Sequence, residues 1–212
     1  MIISKKIVLK AIFIALLLSF ISNAHSAEKS IKVMLYGDSL MVGYGLAHNE
    51  NLTAQLSQKF KDDNRQINLI NASASGNTSS NGLARLEWSL GDQPDIVILS
   101  LGANDMLRGI NPKLTQQNLD KIIANIKNTG AVVILAGMRS PENMGPKYQQ
   151  QFDQIYPTLA QMHGLIFMPF LLKGIALEKE YLQSDYKHPN AEGVRVMANN
   201  LYPFILKGMG LL

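Results

Sequence analysis

The chain has 212 residues, with 20 Lys or Arg against 16 Asp or Glu, and no cysteine, which excludes disulfides and thiolate metal sites. Three of the basic residues and none of the acidic ones lie in the first 26 positions, so the remainder carries 17 basic and 16 acidic residues and a net charge near +1. That balance, with no Lys/Arg cluster and no basic stripe interleaved with aromatics, argues against nucleic acid as a partner.

The chain opens with Lys5, Lys6 and Lys10, then an uncharged, mostly apolar stretch of eleven residues from Ala11 to Ile21, then Ala24-His25-Ser26. This is the pattern of a signal peptide over 1–26, cut before Ala27, leaving 27–212 as a single domain. The apolar stretch is shorter than the roughly 20 residues of a membrane-spanning helix, and an uncleaved N-terminal anchor is the competing reading. No cysteine stands at the cleavage point to carry lipid, so no stable membrane anchor is expected after cleavage. The expected location is the periplasm or the medium.

Beyond the leader, apolar runs at 31–36, 67–71, 95–101, 131–137 and 165–170 are short, rich in β-branched residues and nearly unbroken, as strands buried on both faces are. Helical patterns fall between and after them, at 52–62, 82–90, 114–129, 146–163 and 190–207. Alternation of this kind predicts βαβ units and a five-stranded parallel sheet in one three-layer α/β/α domain. Three of the strands run into small polar loops: Gly37-Asp38-Ser39-Leu40, then Ala72-Ser73-Ala74-Ser75-Gly76-Asn77, then Gly102-Ala103-Asn104-Asp105. Parallel strands set these ends side by side at the C-terminal edge of the sheet, where open α/β folds place their sites.

A serine hydroxyl needs a base to become a nucleophile. His188 lies in Asp185-Tyr186-Lys187-His188-Pro189-Asn190, just before the last helix, with a carboxylate three residues upstream. Asp185 on the same tight loop can accept the Nδ1 proton and leave Nε2 facing Ser39. Ser39 is thus read as nucleophile, His188 as general base and then acid, and Asp185 as the residue that orients the imidazole. The oxyanion donors are read as the Ser39 N–H, the Gly76 N–H and the Asn104 side-chain amide. His48 and His163 read as structural, and Asp38 either braces the nucleophile turn or merely favours it.

These residues, in this order, resemble the SGNH (GDSL) hydrolase superfamily, with Ser39, Gly76, Asn104 and His188 at its four marker positions. The likeness covers essentially the whole mature chain and is closest to the periplasmic arylesterase and acyl-CoA thioesterase I (lysophospholipase) branch. Gly82-Leu83-Ala84-Arg85-Leu86, Leu107-Arg108-Gly109, Gly137-Met138-Arg139-Ser140-Pro141 and His188-Pro189-Asn190-Ala191-Glu192-Gly193 carry it further. The resemblance implies a flavodoxin-like strand order and a Ser-His-Asp triad without metal or cofactor. It also implies hydrolysis of aryl esters and short-to-medium acyl esters and thioesters through an acyl-enzyme, lysophospholipids among them. Two departures stand out. Gly-Ala-Asn-Asp replaces the thioesterase branch's usual Gly-Gly-Asn-Asp and leans toward arylesterase, and Met106 stands where that branch tends to have glycine.

An acyl group needs an apolar groove beside the serine, and Leu40, Met106, Leu107, Ile110, Met138, Pro141 and Met144 are its candidates. The Pro- and Gly-punctuated segment 138–148 reads as a loop bordering the cleft and a partial lid. Core filling is the competing reading of the methionines. A small ester or thioester is the expected partner, with no obligate protein partner. Two other functions fit the same fold: a carbohydrate O-acetylesterase, and a lipid- or sugar-binding protein without turnover. The absence of a Gly-x-Gly-x-x-Gly or Walker-type loop disfavours nucleotide binding.

Overall fold

The structure, a computed structural model, describes residues 30–212; the leader assigned to 1–26 lies outside the described residues. The strands are β1 (Ile31–Gly37), β2 (Ile67–Asn71), β3 (Ile96–Ser100), β4 (Val132–Ala136) and β5 (Ile166–Met168). They pair in parallel throughout, in the order β2-β1-β3-β4-β5. The chain therefore winds outward from β1 to β2 and then resumes at β3 on the other side of β1. The C-terminal ends of β1 and β3 form the topological switch point, where such sheets open a crevice.

Burial on both faces holds for the central strands. Val33 to Gly37 and all of β3 are buried, as is β4 after its first residue. The edge strands depart from it. β2 has no fully buried position: Ile67, Leu69 and Ile70 are partly buried and Asn68 and Asn71 exposed, because a strand with one neighbour is only half covered. β5 is also shorter than the run 165–170 suggests. Pro169 has no N–H to extend the ladder, and the chain turns away after Met168.

Among the described residues eight α-helices connect or follow the strands: α1 (Ser39–Val42), α2 (Leu52–Asp62), α3 (Ser79–Leu90), α4 (Ala103–Leu107), α5 (Pro112–Asn128), α6 (Pro146–Asp153), α7 (Ile155–His163) and α8 (Ala191–Gly208). α2 packs against α8, while α3 packs on α5 and α5 on α7, so helices cover both faces of the sheet. The pattern 146–163 is two helices, not one. Pro157 can neither donate to the Asp153 carbonyl nor avoid crowding it, and the helix breaks at Gln154. α3 starts three residues earlier than its apolar pattern, because Thr78 and Asn81 form a reciprocal capping box. α5 likewise starts at Pro112 behind an Asn111 cap.

Candidate active site

Ser39 is the first residue of α1, directly past β1. A short helix can start there because Asp38 caps it: Asp38 Oδ1 accepts the Leu40 N–H at 3.1 Å. The turn is tight against the neighbouring strand. A Cβ on Gly37 would lie 2.6 Å from the Ser100 carbonyl oxygen and 2.5 Å from Met41 Cγ, so only glycine fits. Ser39 itself is partly exposed at the mouth of this edge.

The loop before α8 meets it from the other end of the chain. His188 Nε2 lies 2.8 Å from Ser39 Oγ, and His188 Nδ1 lies 2.6 Å from Asp185 Oδ2. A carboxylate only accepts, so Nδ1 carries the proton and the neutral ring's Nε2 is left to accept from the serine hydroxyl. Asp185 Oδ1 also accepts the Lys187 and His188 backbone N–H groups, at 2.9 and 3.0 Å. These hydrogen bonds, the one from the imidazole first, hold the Asp185 carboxyl well below the usual carboxylate range. An isolated bridge between Leu182 and Pro189 closes the loop, and Tyr186 takes the left-handed conformation at its tip (φ 55°). Asn190 serves both sides: its Oδ1 caps α8 through the Gly193 N–H, and its Nδ2 donates to the Glu180 and Leu182 carbonyls. Gln183 Nε2 bridges the Pro189 carbonyl and the Tyr44 carbonyl, fastening the histidine loop to the segment after the nucleophile.

The loops after β2 and β3 complete the edge. The Ala74 N–H donates to the Gly37 carbonyl, and Asn104 Nδ2 donates to the Asn77 carbonyl at 3.1 Å and reaches Asp38 Oδ2 at 3.4 Å. Gly76 adopts φ 77°, which its lack of a Cβ permits, and the only atom near a Cβ built there is Arg108 Nη2 at 3.9 Å. Among the described residues neither the Ser39 nor the Gly76 N–H has a hydrogen-bond acceptor. Two unpaired backbone donors and an amide thus converge on the edge that carries the serine. Among the described residues no three metal-ligating side chains gather.

The sequence left Asp38 open between bracing the turn and merely favouring it, and gave no role to three further contributors, Asp105, Tyr44 and Arg85. Asp38 is buried, and that burial pushes its carboxyl up to about 6 against the opposing effect of the Leu40 N–H and the Asn104 amide. It therefore braces both the nucleophile turn and Asn104. Asp105 is buried too. It accepts the Ser79 N–H at 2.7 Å, the Ser79 hydroxyl at 2.5 Å and the Thr115 hydroxyl at 3.2 Å, while Asn118 Nδ2 donates to Ser79 Oγ at 3.0 Å. This network ties the residue after Asn104 to the start of α3 and to α5. The Tyr44 ring, half exposed, lies 4.8 Å from the His188 ring. Arg85 reaches two of the loops, the one after β1 through the Gly37 carbonyl and the one after β2 through Ala72 and Asn77.

The proposed acyl-groove residues do not form one surface. Leu40, Met106 and Met138 are buried in the hydrophobic core. Leu107 and Pro141 are exposed, and Ile110 is half-buried with its carbonyl accepting the Tyr148 hydroxyl at 2.9 Å. Met144 ends a 3-10 turn (Glu142–Met144) and lines a surface cavity of about 360 Å³ with Gly145, Pro146, Lys147, Tyr148 and Gln151. None of Ser39, Asp185 and His188 lines that cavity.

A doubly wound parallel sheet with Ser, His and Asp hydrogen-bonded in series at its switch point is the architecture of an SGNH-type α/β hydrolase. Residues 35–196 match the GDSL-like Lipase/Acylhydrolase family, and the chain belongs to it. It is 38% identical over 180 residues to an arylesterase of Vibrio mimicus, covering 84% of this chain and 90% of that protein. It is 35% identical over 178 residues to thioesterase 1/protease 1/lysophospholipase L1 of Escherichia coli K12, covering 82% of this chain and 84% of the relative. The crystal structure of the psychrotrophic esterase EstA from Pseudoalteromonas sp., inhibited by monoethylphosphonate, superposes with a TM-score of 0.80 at 32% identity, covering 84% of this chain and 98% of EstA.

Proposed function

We propose that this protein is a serine esterase and thioesterase acting on aryl esters and short-to-medium acyl esters and thioesters, lysophospholipids included. The observation that carries the reading is the continuous hydrogen-bond chain from Ser39 Oγ through His188 to Asp185. Ser39 Oγ attacks the substrate carbonyl carbon as His188 Nε2 takes its proton, and Asp185 supports the imidazolium that forms. The developing oxyanion draws on the Ser39 and Gly76 N–H groups and on Asn104. One Asn104 N–H is held by the Asn77 carbonyl at 3.1 Å; the other, with only the 3.4 Å contact to Asp38, is the one assigned to the oxyanion. His188 then returns its proton to the leaving oxygen or sulfur, and water repeats the sequence on the acyl-Ser39 intermediate. The basic-then-apolar leader supports a periplasmic or secreted location for the mature enzyme, which cell fractionation tests.

The test is hydrolysis of p-nitrophenyl esters from acetate to palmitate by the 27–212 chain, beside Ser39→Ala and Asp185→Asn. Turnover on several acyl lengths, lost in Ser39→Ala and reduced about 10⁴-fold in Asp185→Asn, supports the reading. Turnover of acetate alone, with release of acetate from acetylated glycans, would replace it with an O-acetylesterase. Ligand binding without turnover would replace it with a binding protein.

A further inference from the structure

Arg85 is a half-buried cation on α3 whose hydrogen bonds go to main-chain carbonyls and neutral side chains instead of a carboxylate. Its Nη2 donates to the Gly37 carbonyl at 3.1 Å, its Nη1 donates to the Ala72 carbonyl, and its Nε donates to Asn77 Oδ1 at 2.6 Å. The guanidinium also stacks over the Tyr36 ring, 4.2 Å from its centroid. Tyr36 is itself fixed, fully buried with its hydroxyl donating to the Gly82 carbonyl at 2.5 Å. Withdrawing a guanidinium from water is costly, and burial lowers its pKa, so the site must return that cost through these contacts.

The acceptors belong to the ends of two different strands. Gly37 stands two residues before Ser39. Ala72 follows β2, and Asn77 follows Gly76 and offers its own carbonyl to Asn104 Nδ2. Each group assigned to the oxyanion is therefore carried by, or hydrogen-bonded to, a turn that Arg85 grips. We propose that Arg85 is a positioning residue, holding the nucleophile turn and the Gly76–Asn77 turn at the separation that lets the Ser39 N–H, the Gly76 N–H and the Asn104 amide meet one oxygen. The inference rests on the esterase reading of those three donors. A lysine cannot replace it: its ammonium is a point donor, whereas the planar fork spans acceptors on both strand ends and stacks on an aromatic face at once.

The experiment measures p-nitrophenyl butyrate hydrolysis by wild type, Arg85→Lys and Arg85→Ala, with folded fraction read by circular dichroism. Misplacement of an oxyanion donor by about 1 Å costs about 10²-fold in rate. Arg85→Lys is expected to fold and to lose about that factor in kcat with KM little changed. Arg85→Ala is expected to lose at least as much, and millimolar ethylguanidinium, but not ethylammonium, to restore part of it. A folded Arg85→Lys with wild-type kcat, a loss confined to KM, or equal rescue by both cations would overturn the inference. If Arg85→Ala fails to fold, Arg85→Lys decides alone. A folded wild type that hydrolyses no ester would overturn the esterase reading and this inference with it, whereas active wild type, inactive Ser39→Ala and unimpaired Arg85→Lys would overturn this inference only.

Discussion

Removing the Asp105 side chain would strand three buried donors at once. Asp105→Ala leaves the Ser79 N–H, the Ser79 hydroxyl and the Thr115 hydroxyl facing a site that is 1% exposed at Asp105 and fully buried at Ser79 and Thr115. A buried donor left unsatisfied costs about 1–3 kcal/mol, so even the low end for three donors is about 3 kcal/mol. The lost carboxylate at the start of α3 also forfeits an interaction with the helix dipole, worth about 0.3–1 kcal/mol at an exposed site. For a domain of this size about 3 kcal/mol corresponds to a fall in Tm of roughly 6–12 °C. Asp105→Asn preserves the shape but turns one acceptor into a donor, and is expected to cost less than Asp105→Ala. Thr115→Val removes a single partner and should cost about 1 kcal/mol. The assay is urea and thermal unfolding followed by far-UV circular dichroism, since the single tryptophan, Trp88, is 84% exposed and reports little on the core. A loss under about 1 kcal/mol for Asp105→Ala, or one no larger than that of Thr115→Val, would refute the network's role.

Asn104→Ala is expected to lower kcat about 10²–10³-fold with KM little changed, and a change confined to KM would assign Asn104 to ground-state binding instead. Asp38 sets a pH dependence of stability. Its carboxyl, pushed up to about 6 from an ordinary 3.8, keeps a proton in the folded state that the unfolded chain has released, so its contribution to stability falls as pH rises through that window. Asp38→Asn removes this slope of at most about 1.4 kcal/mol per pH unit, so urea-unfolding free energies of variant and wild type should diverge, in the variant's favour, between pH 4 and 6; parallel curves would refute the shift. Tyr44 stands beside His188, the proposed base, so an aryl leaving group protonated there is expected to pack on its ring. Tyr44→Ala is expected to lower kcat/KM for phenyl acetate about 3–10-fold more than for ethyl acetate, the worth of one aromatic pair, and equal losses would refute the contact.

The hydrogen-bonded trio proposed to react was legible because local patterns carry it. Ser39 follows an unbroken apolar strand, and Asp185 and His188 share one short loop ended by Pro189 and the Asn190 cap. What braces them was not legible, because it depends on pairings that leave no periodic trace. Asp105 meets Ser79 from 26 residues away, and Arg85 meets Gly37 from 48. Arg85 stands in the Gly82–Leu86 stretch that carries the family resemblance, with nothing in the sequence to give it a role; only the sheet order brings the ends of β1 and β2 beneath it. The acyl-groove candidates show the reverse failure. An apolar residue near a strand end suits a core as well as a ligand, and Leu40, Met106 and Met138 lie in the core. The helix break at Gln154 was readable from Pro157, and the trimmed β5 from Pro169, once proline's missing donor is given more weight than the apolar pattern.

The most direct test of the account is covalent labelling of the folded 27–212 chain with an alkyl p-nitrophenyl phosphonate, followed by peptide mass spectrometry. The account predicts one adduct per chain, on Ser39, with loss of ester hydrolysis in step with labelling and no adduct in Ser39→Ala or after imidazole removal in His188→Ala. A folded protein that takes no adduct, or takes it at another residue while hydrolysis is lost, would contradict the assignment of Ser39 as the nucleophile.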